Sequence, residues 1–196
     1  MKNIINIAVV GLGQVGSYLL NELNSKKKDI QLKTGKKINI VAVSAKDINK
    51  KRRFKVNKKI FFQNPLDIFK KKKIDIIFEA IGLSDGISKK VVETALKKGI
   101  HVITPNKALI SKHGINLAKL AENNNVNLEF EASVAGGIPI LRSIKEGLAT
   151  NKISKIYGIL NGTSNYILSE MENSNLNFSD VLKKAQKLGY AEPGNP

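Results

Sequence analysis

Residues 4–16 read IINIAVVGLGQVG. The first seven form a nearly continuous apolar run, short enough for a strand and apolar enough to be buried on both faces, as in a parallel sheet. Three glycines follow, Gly11, Gly13 and Gly16, in the pattern G-x-G-x-x-G. Val15, Leu19, Leu20 and Leu23 then recur at helical spacing. A tight turn or a flexible loop would account for glycines alone. Strand, fingerprint and amphipathic helix in that order predict a phosphate cradle. Gly11 permits the sharp strand-to-helix turn, Gly13 lets bare backbone approach a pyrophosphate, and Gly16 lets helix and strand pack closely. The free N–H groups of the helix start, with Gln14 and Val15 in its first turn, then face the phosphates.

Outward from this stretch the chain alternates strand and helix. Apolar runs at 38–43, 74–82 and 100–105 predict further buried strands, 59–62 a short one, and 123–132 a turn plus strand. Helical patterns lie between them: from Pro65, over 84–99 with Ser84 or Asp85 as N-cap and Gly99 as stop, and from about Leu109 to Asn123. The predicted class is α/β, a Rossmann-type doubly wound parallel sheet over residues 1–132. The texture changes near Ser133. A glycine-rich turn (VAGGIPI), a helix at about 140–149, a strand at 153–160 and helices from Thr163 and Ser179 predict the start of an α+β substrate and dimerisation domain over 133–196.

The chain has no cysteine, which removes disulfides, thiolate metal sites and thiol nucleophiles and fits a reducing, cytoplasmic location. No apolar run reaches the roughly 18 residues of a membrane span. The formal net charge is +17, yet only three of the 33 basic residues are arginine (Arg52, Arg53, Arg142) and aromatics make up 6%. Scattered lysines without arginine forks or stacking aromatics argue against a nucleic-acid surface and for solvated helix faces.

NAD binders usually end the second strand with Asp or Glu, which grips the ribose 2′-OH. Here the strand runs into Ser44, Ala45 and Lys46, and Asp47 comes late. Lys46, with Lys50, Lys51, Arg52 or Arg53 nearby, is a candidate for holding a 2′-phosphate, which favours NADP while leaving NAD open. The stretch HVITPNKALIS (101–111) sets Lys107 just past a strand end, on the edge where ligands bind in open α/β sheets. A lysine there is a candidate for substrate binding or proton transfer. His101, at a strand start, and His113, on a lysine-rich surface, are given no catalytic role.

The pieces GLGQVG, IIFEAIG, ALKKGIHVITPNKALIS, FEASVAGGIPI, GILNGTSNYIL and AQKLGYAEPGNP, in this order, resemble homoserine dehydrogenase over nearly the whole chain. The resemblance implies NAD(P)-dependent interconversion of L-homoserine and L-aspartate 4-semialdehyde, in threonine and methionine biosynthesis. It implies that Lys107 lies near nicotinamide and substrate, and that Glu192 binds substrate. It also implies a monovalent-cation site, for sodium, built from Glu131 and the carbonyls of Val134, Gly136 and Ile138. Gly162 and Thr163 would start a helix near the cofactor, with Thr163 serving equally as a cap.

The family signature runs A-x-x-x-G-Y-A…N-P-x-x-D-[apolar]-x-G-x-D-x-x-x-K. Ala185, Gly189, Tyr190, Ala191, Asn195 and Pro196 match its first half. The aspartates and the lysine of the second half fall beyond residue 196, and that lysine is the implied main proton-transfer group. The expectation is a chain truncated within its substrate domain, inactive as it stands and a homodimer when full length, with no regulatory domain or aspartate kinase on either side. Two other readings share the fold: a non-catalytic NAD(P)-binding module, and a dehydrogenase for another small amino acid or aldehyde.

Overall fold

In the computed structural model, which describes residues 3–50, 52, 56–159 and 161–191, the opening apolar run is strand β1, Ile4–Val10. The remaining strands are β2 (Lys37–Ser44), β3 (Phe61–Phe62), β4 (Ile76–Glu79), β5 (His101–Ile103) and β6 (Leu128–Glu129). Every pairing is parallel, and the order across the sheet is β3-β2-β1-β4-β5-β6. Two half-sheets thus wind outward in opposite directions from β1. The crevice beyond the carboxyl ends of β1 and β4 is where such a sheet binds ligands.

Both faces of β1 are buried, with the two-residue alternation of a strand. Ala8 and Val10 pack with Ile77, Val91, Val92, Leu96, Val102 and Leu109 on one side. Ile7 and Val9 pack with Leu12, Leu20, Ile38 and Val43 on the other. Each large apolar side chain buried in these layers contributes about 1.5–3 kcal/mol of transfer free energy. The covering helices are α1 (Gln14–Ser25), α2 (Lys27–Thr34), α3 (Ile68–Lys71), α4 (Ile87–Lys97) and α5 (Lys107–Asn123).

Helix α4 departs from its predicted cap. Gly86 takes the N-cap position with no side-chain cap. Asp85 instead reaches across to α5, accepting hydrogen bonds from Lys112 Nζ at 2.7 Å and facing His113 Nε2 at 2.9 Å. Helix α2 has no counterpart in the sequence reading; none of its residues is buried.

Contacts divide the chain into two compact units, Met1–Gly147 and Leu148–Pro196. The first ends with the one-turn α6 (Ile140–Arg142) and a wider π turn, Ser143–Gly147, where a single helix was expected. The second contains α7 (Gly162–Ser174) and α8 (Phe178–Leu188), packed through Ile167, Val181 and Ala185. Residues 153–159 form no ladder strand among the described residues, and Ile156, Tyr157 and Ile159 are exposed. Their β-branched and aromatic side chains mark strand propensity, which needs a partner edge to become a strand. No helix among the described residues is long and apolar enough to cross a membrane.

Candidate dinucleotide-binding site

The glycine loop lies at the switch point, between β1 and α1. Gly11 has φ +91°, and a Cβ there would meet the Ala80 carbonyl oxygen at 2.4 Å. Its N–H donates to the Ser44 carbonyl at 2.9 Å, so the ends of β1, β2 and β4 converge on this residue. Gly16 lies directly beneath the turn: a Cβ on it would sit 1.9 Å from the Gly11 carbonyl oxygen. Gly13, the N-cap of α1, is different. Its φ of −73° suits any residue, and a Cβ there would meet nothing within 4 Å. Two glycines are therefore demanded by the fold, while the third opens a cradle that a side chain would fill. That cradle, at the N-terminus of a 12-residue helix, fits a diphosphate.

Gln14 and Val15 are exposed in the first turn of α1, with Val15 58% accessible. Lys46 is exposed in the loop after β2. Arg52 is tied to that loop through its guanidinium, which donates to the carbonyls of Asp47, Ile48 and Lys50 and, at 3.4 Å, to that of Leu12. Loop and glycine turn are thus braced by one arginine. Lys51 and Arg53 lie outside the described residues.

Lys107 is exposed at the first position of α5, after the N-cap Asn106, whose side chain accepts from the Leu109 N–H at 3.1 Å. The residue that organises this corner is Glu79, at the end of β4, which sequence reading passed over. It is fully buried. Its Oε1 accepts from the Ile81 N–H and the Ser88 hydroxyl, each at 2.8 Å; its Oε2 accepts from the Thr104 hydroxyl at 2.7 Å and Asn106 Nδ2 at 3.3 Å. The signal for it was an acid set within the apolar run IIFEAIG, past the Asp75 that opens it.

Glu131 is half-buried, and its carboxylate accepts from the N–H groups of Leu141 and Arg142 at the start of α6. The Ile138 carbonyl accepts from the Ile140 N–H at 2.8 Å. A carboxylate offers about four lone-pair directions and a carbonyl two, so these bonds leave acceptor capacity for a cation. Glu192 lies outside the described residues, as do Asn195 and Pro196. In the second unit Asn161 caps α7, accepting from the Ser164 N–H, while the Thr163 hydroxyl donates to the Tyr190 carbonyl. The cap predicted at Thr163 is therefore two residues earlier. His101 Nδ1 accepts from the Asn127 N–H, a bond that joins the starts of β5 and β6.

A sheet of this order with this loop at its switch point defines a dinucleotide-binding protein of the Rossmann type. Residues 11–131 match the family model "Homoserine dehydrogenase, NAD binding domain", and residues 139–195 match "Homoserine dehydrogenase". The chain belongs to the homoserine dehydrogenase family. It is 42% identical to the homoserine dehydrogenase of Neisseria gonorrhoeae over 96% of its own length and 43% of that protein's, and 37% identical to that of Bacillus subtilis over the same shares. The crystal structure of a homoserine dehydrogenase from Thiobacillus denitrificans superposes with TM-score 0.84 at 38% identity, covering 99% of this chain and 45% of that one. A hyperthermophilic archaeal homoserine dehydrogenase mutant, solved in complex with NADPH, shares the fold at 23% identity and TM-score 0.77. The chain spans less than half the length of these curated relatives.

Proposed function

We propose that this chain is the cofactor-binding portion of an NAD(P)-dependent homoserine dehydrogenase, which interconverts L-homoserine and L-aspartate 4-semialdehyde in the cytoplasm on the way to threonine and methionine. The observation that carries the reading is the open cradle at Gly13 on the switch point, in a chain of this family. When bound, the nicotinamide dinucleotide supplies or accepts the hydride. The loop amides from Gly11 to Gly16 hold its diphosphate, and Gln14 and Val15 border it. Lys46 takes the 2′-phosphate, which makes NADP the preferred form over NAD.

Lys107 presents an ammonium to the substrate's carbonyl oxygen and stabilises charge that develops there. Glu192 grips the substrate's ammonium. Glu131 with the carbonyls of Val134, Gly136 and Ile138 holds sodium, oxygen chemistry that suits a hard cation. In this reading residues 1–132 bind the cofactor and 133–196 open the substrate domain, through which the full-length protein forms a homodimer. The proton-transfer lysine of the family signature is not among the 196 residues, so the chain alone binds cofactor with negligible turnover.

The test has two arms. Calorimetry on the 196-residue chain should register NADPH binding, and the full-length gene product should reduce NADP with homoserine as donor. No heat with either nicotinamide nucleotide would sink the reading. Binding without homoserine oxidation by the full-length product would leave only a dinucleotide-binding module or a dehydrogenase of another substrate.

A further inference from the structure

We infer that Glu79 is the positioning residue for Lys107: its buried carboxylate clamps the first turn of α5 to the cofactor edge of the sheet. The inference rests on the role proposed above for Lys107 and concerns how that lysine is held.

Burying a carboxylate costs several kcal/mol unless its lone pairs are satisfied. An apolar residue of similar size at the end of β4 would avoid that cost. Glu79 is fully buried, and no basic side chain touches it among the described residues. What it gains is four donors from four segments: the loop after β4 (Ile81), α4 (Ser88), the end of β5 (Thr104) and the cap of α5 (Asn106).

The donor assignments are forced. Thr104 Oγ1 accepts from the Asn106 N–H at 3.0 Å, which leaves its one proton for Glu79. Asn106 Oδ1 accepts from the Leu109 N–H, so its amide group faces the other way, donating to the Leu83 carbonyl at 2.9 Å and to Glu79. Only a group that accepts at both oxygens completes this set. The residue so fixed on both flanks is Lys107, between Asn106 and the Leu109 amide. A cation at the first position of a 17-residue helix stands against the helix dipole. The carboxylate behind the cap offsets that cost. Ile81 follows Ala80, the residue that Gly11 packs against, so the same clamp also shapes the wall of the cofactor crevice.

Glu79→Gln turns one acceptor into a donor facing Thr104 and Asn106. In the 196-residue chain, Glu79→Gln should speed amide exchange at Leu109 by about tenfold. In the full-length gene product it should lower kcat for homoserine about tenfold with KM little changed. Combined with Lys107→Ala it should add less than about twofold to the loss from Lys107→Ala alone. Unchanged exchange at Leu109, or a loss fully additive with Lys107→Ala, would overturn the proposal. Should Glu79→Gln fail to fold, Thr104→Val, which removes one donor, carries the same comparisons. If the wild-type product does not oxidise homoserine, the proposed function fails, and the exchange data alone judge the clamp.

Discussion

The carbonyl oxygen of Gly11 occupies the space where a side chain on Gly16 would begin, 1.9 Å from its ideal Cβ position. The glycine loop is therefore folded onto its own helix, and its three glycines are not equivalent. Gly16→Ala must push apart backbone at the centre of the sheet, so we expect a loss of about 3 kcal/mol, read as a lower thermal midpoint. Gly13→Ala adds a methyl into open space at an ordinary φ. It should change stability by less than about 0.5 kcal/mol while weakening NADPH binding at least about tenfold. Equal losses of stability at the two positions would refute the distinction, and unweakened binding in Gly13→Ala would remove the cradle.

Choice of cofactor should be readable at Lys46. Its exposed ammonium stands in the loop after β2, where many NAD binders place an acid for the ribose hydroxyls. Lys46→Ala should weaken NADPH about tenfold in a fluorescence titration and leave NADH nearly unchanged. Raising the salt from low to physiological strength should shrink that difference. If both nucleotides lose affinity equally, Lys46 is only one more surface lysine, and the 2′-phosphate is held elsewhere.

The parallel sheet was legible because its central strands are nearly continuous apolar runs, which suit burial on both faces; the order of the strands came only with the structure. The glycine loop was legible because its demands are local: Gly11 and Gly16 collide with neighbours within the same turn or the adjoining strand. Asp85 was misread for the opposite reason. Its local position, just before a helix, suits a cap, but its partners Lys112 and His113 lie 27 and 28 residues away. Glu79 was passed over likewise, since its value depends on Ser88, Thr104 and Asn106 arriving from three other segments. Helix α2 was invisible because Ile30 and Leu32 are its only large apolar residues and make no helical stripe.

The Asp85 cluster predicts an acid-sensitive tether between the loop before α4 and α5. Hydrogen bonds from Lys112, then from His113 and Ser84, hold the Asp85 carboxyl well below the usual carboxylate range. A folded value below the unfolded one means that the ionised tether stabilises the fold above about pH 4, the ordinary Asp value. That contribution fades as pH falls through the lower folded value. The thermal midpoint of wild type should therefore exceed that of Asp85→Asn at neutral pH, and the gap should narrow steadily below pH 4. The side chain is 48% accessible, so added salt should narrow the gap too. A gap that stays constant from neutral pH into strong acid would show that the carboxylate's charge plays no part.

Glu131 offers the last test, because two roles compete for one carboxylate. As the structure stands it accepts from the Leu141 and Arg142 N–H groups and anchors the start of α6. If it also holds sodium with the carbonyls of Val134, Gly136 and Ile138, then sodium binds the folded state alone and must stabilise it. At ten times its dissociation constant the gain is about 1.4 kcal/mol, or about 3–5 °C in the midpoint of a domain this size. Sodium chloride should therefore raise the midpoint above that in choline chloride at equal ionic strength. Glu131→Gln keeps an oxygen for the two amides but drops the charge that a hard cation requires. The variant should fold and lose the sodium increment. An identical increment in variant and wild type would assign Glu131 to the helix start alone.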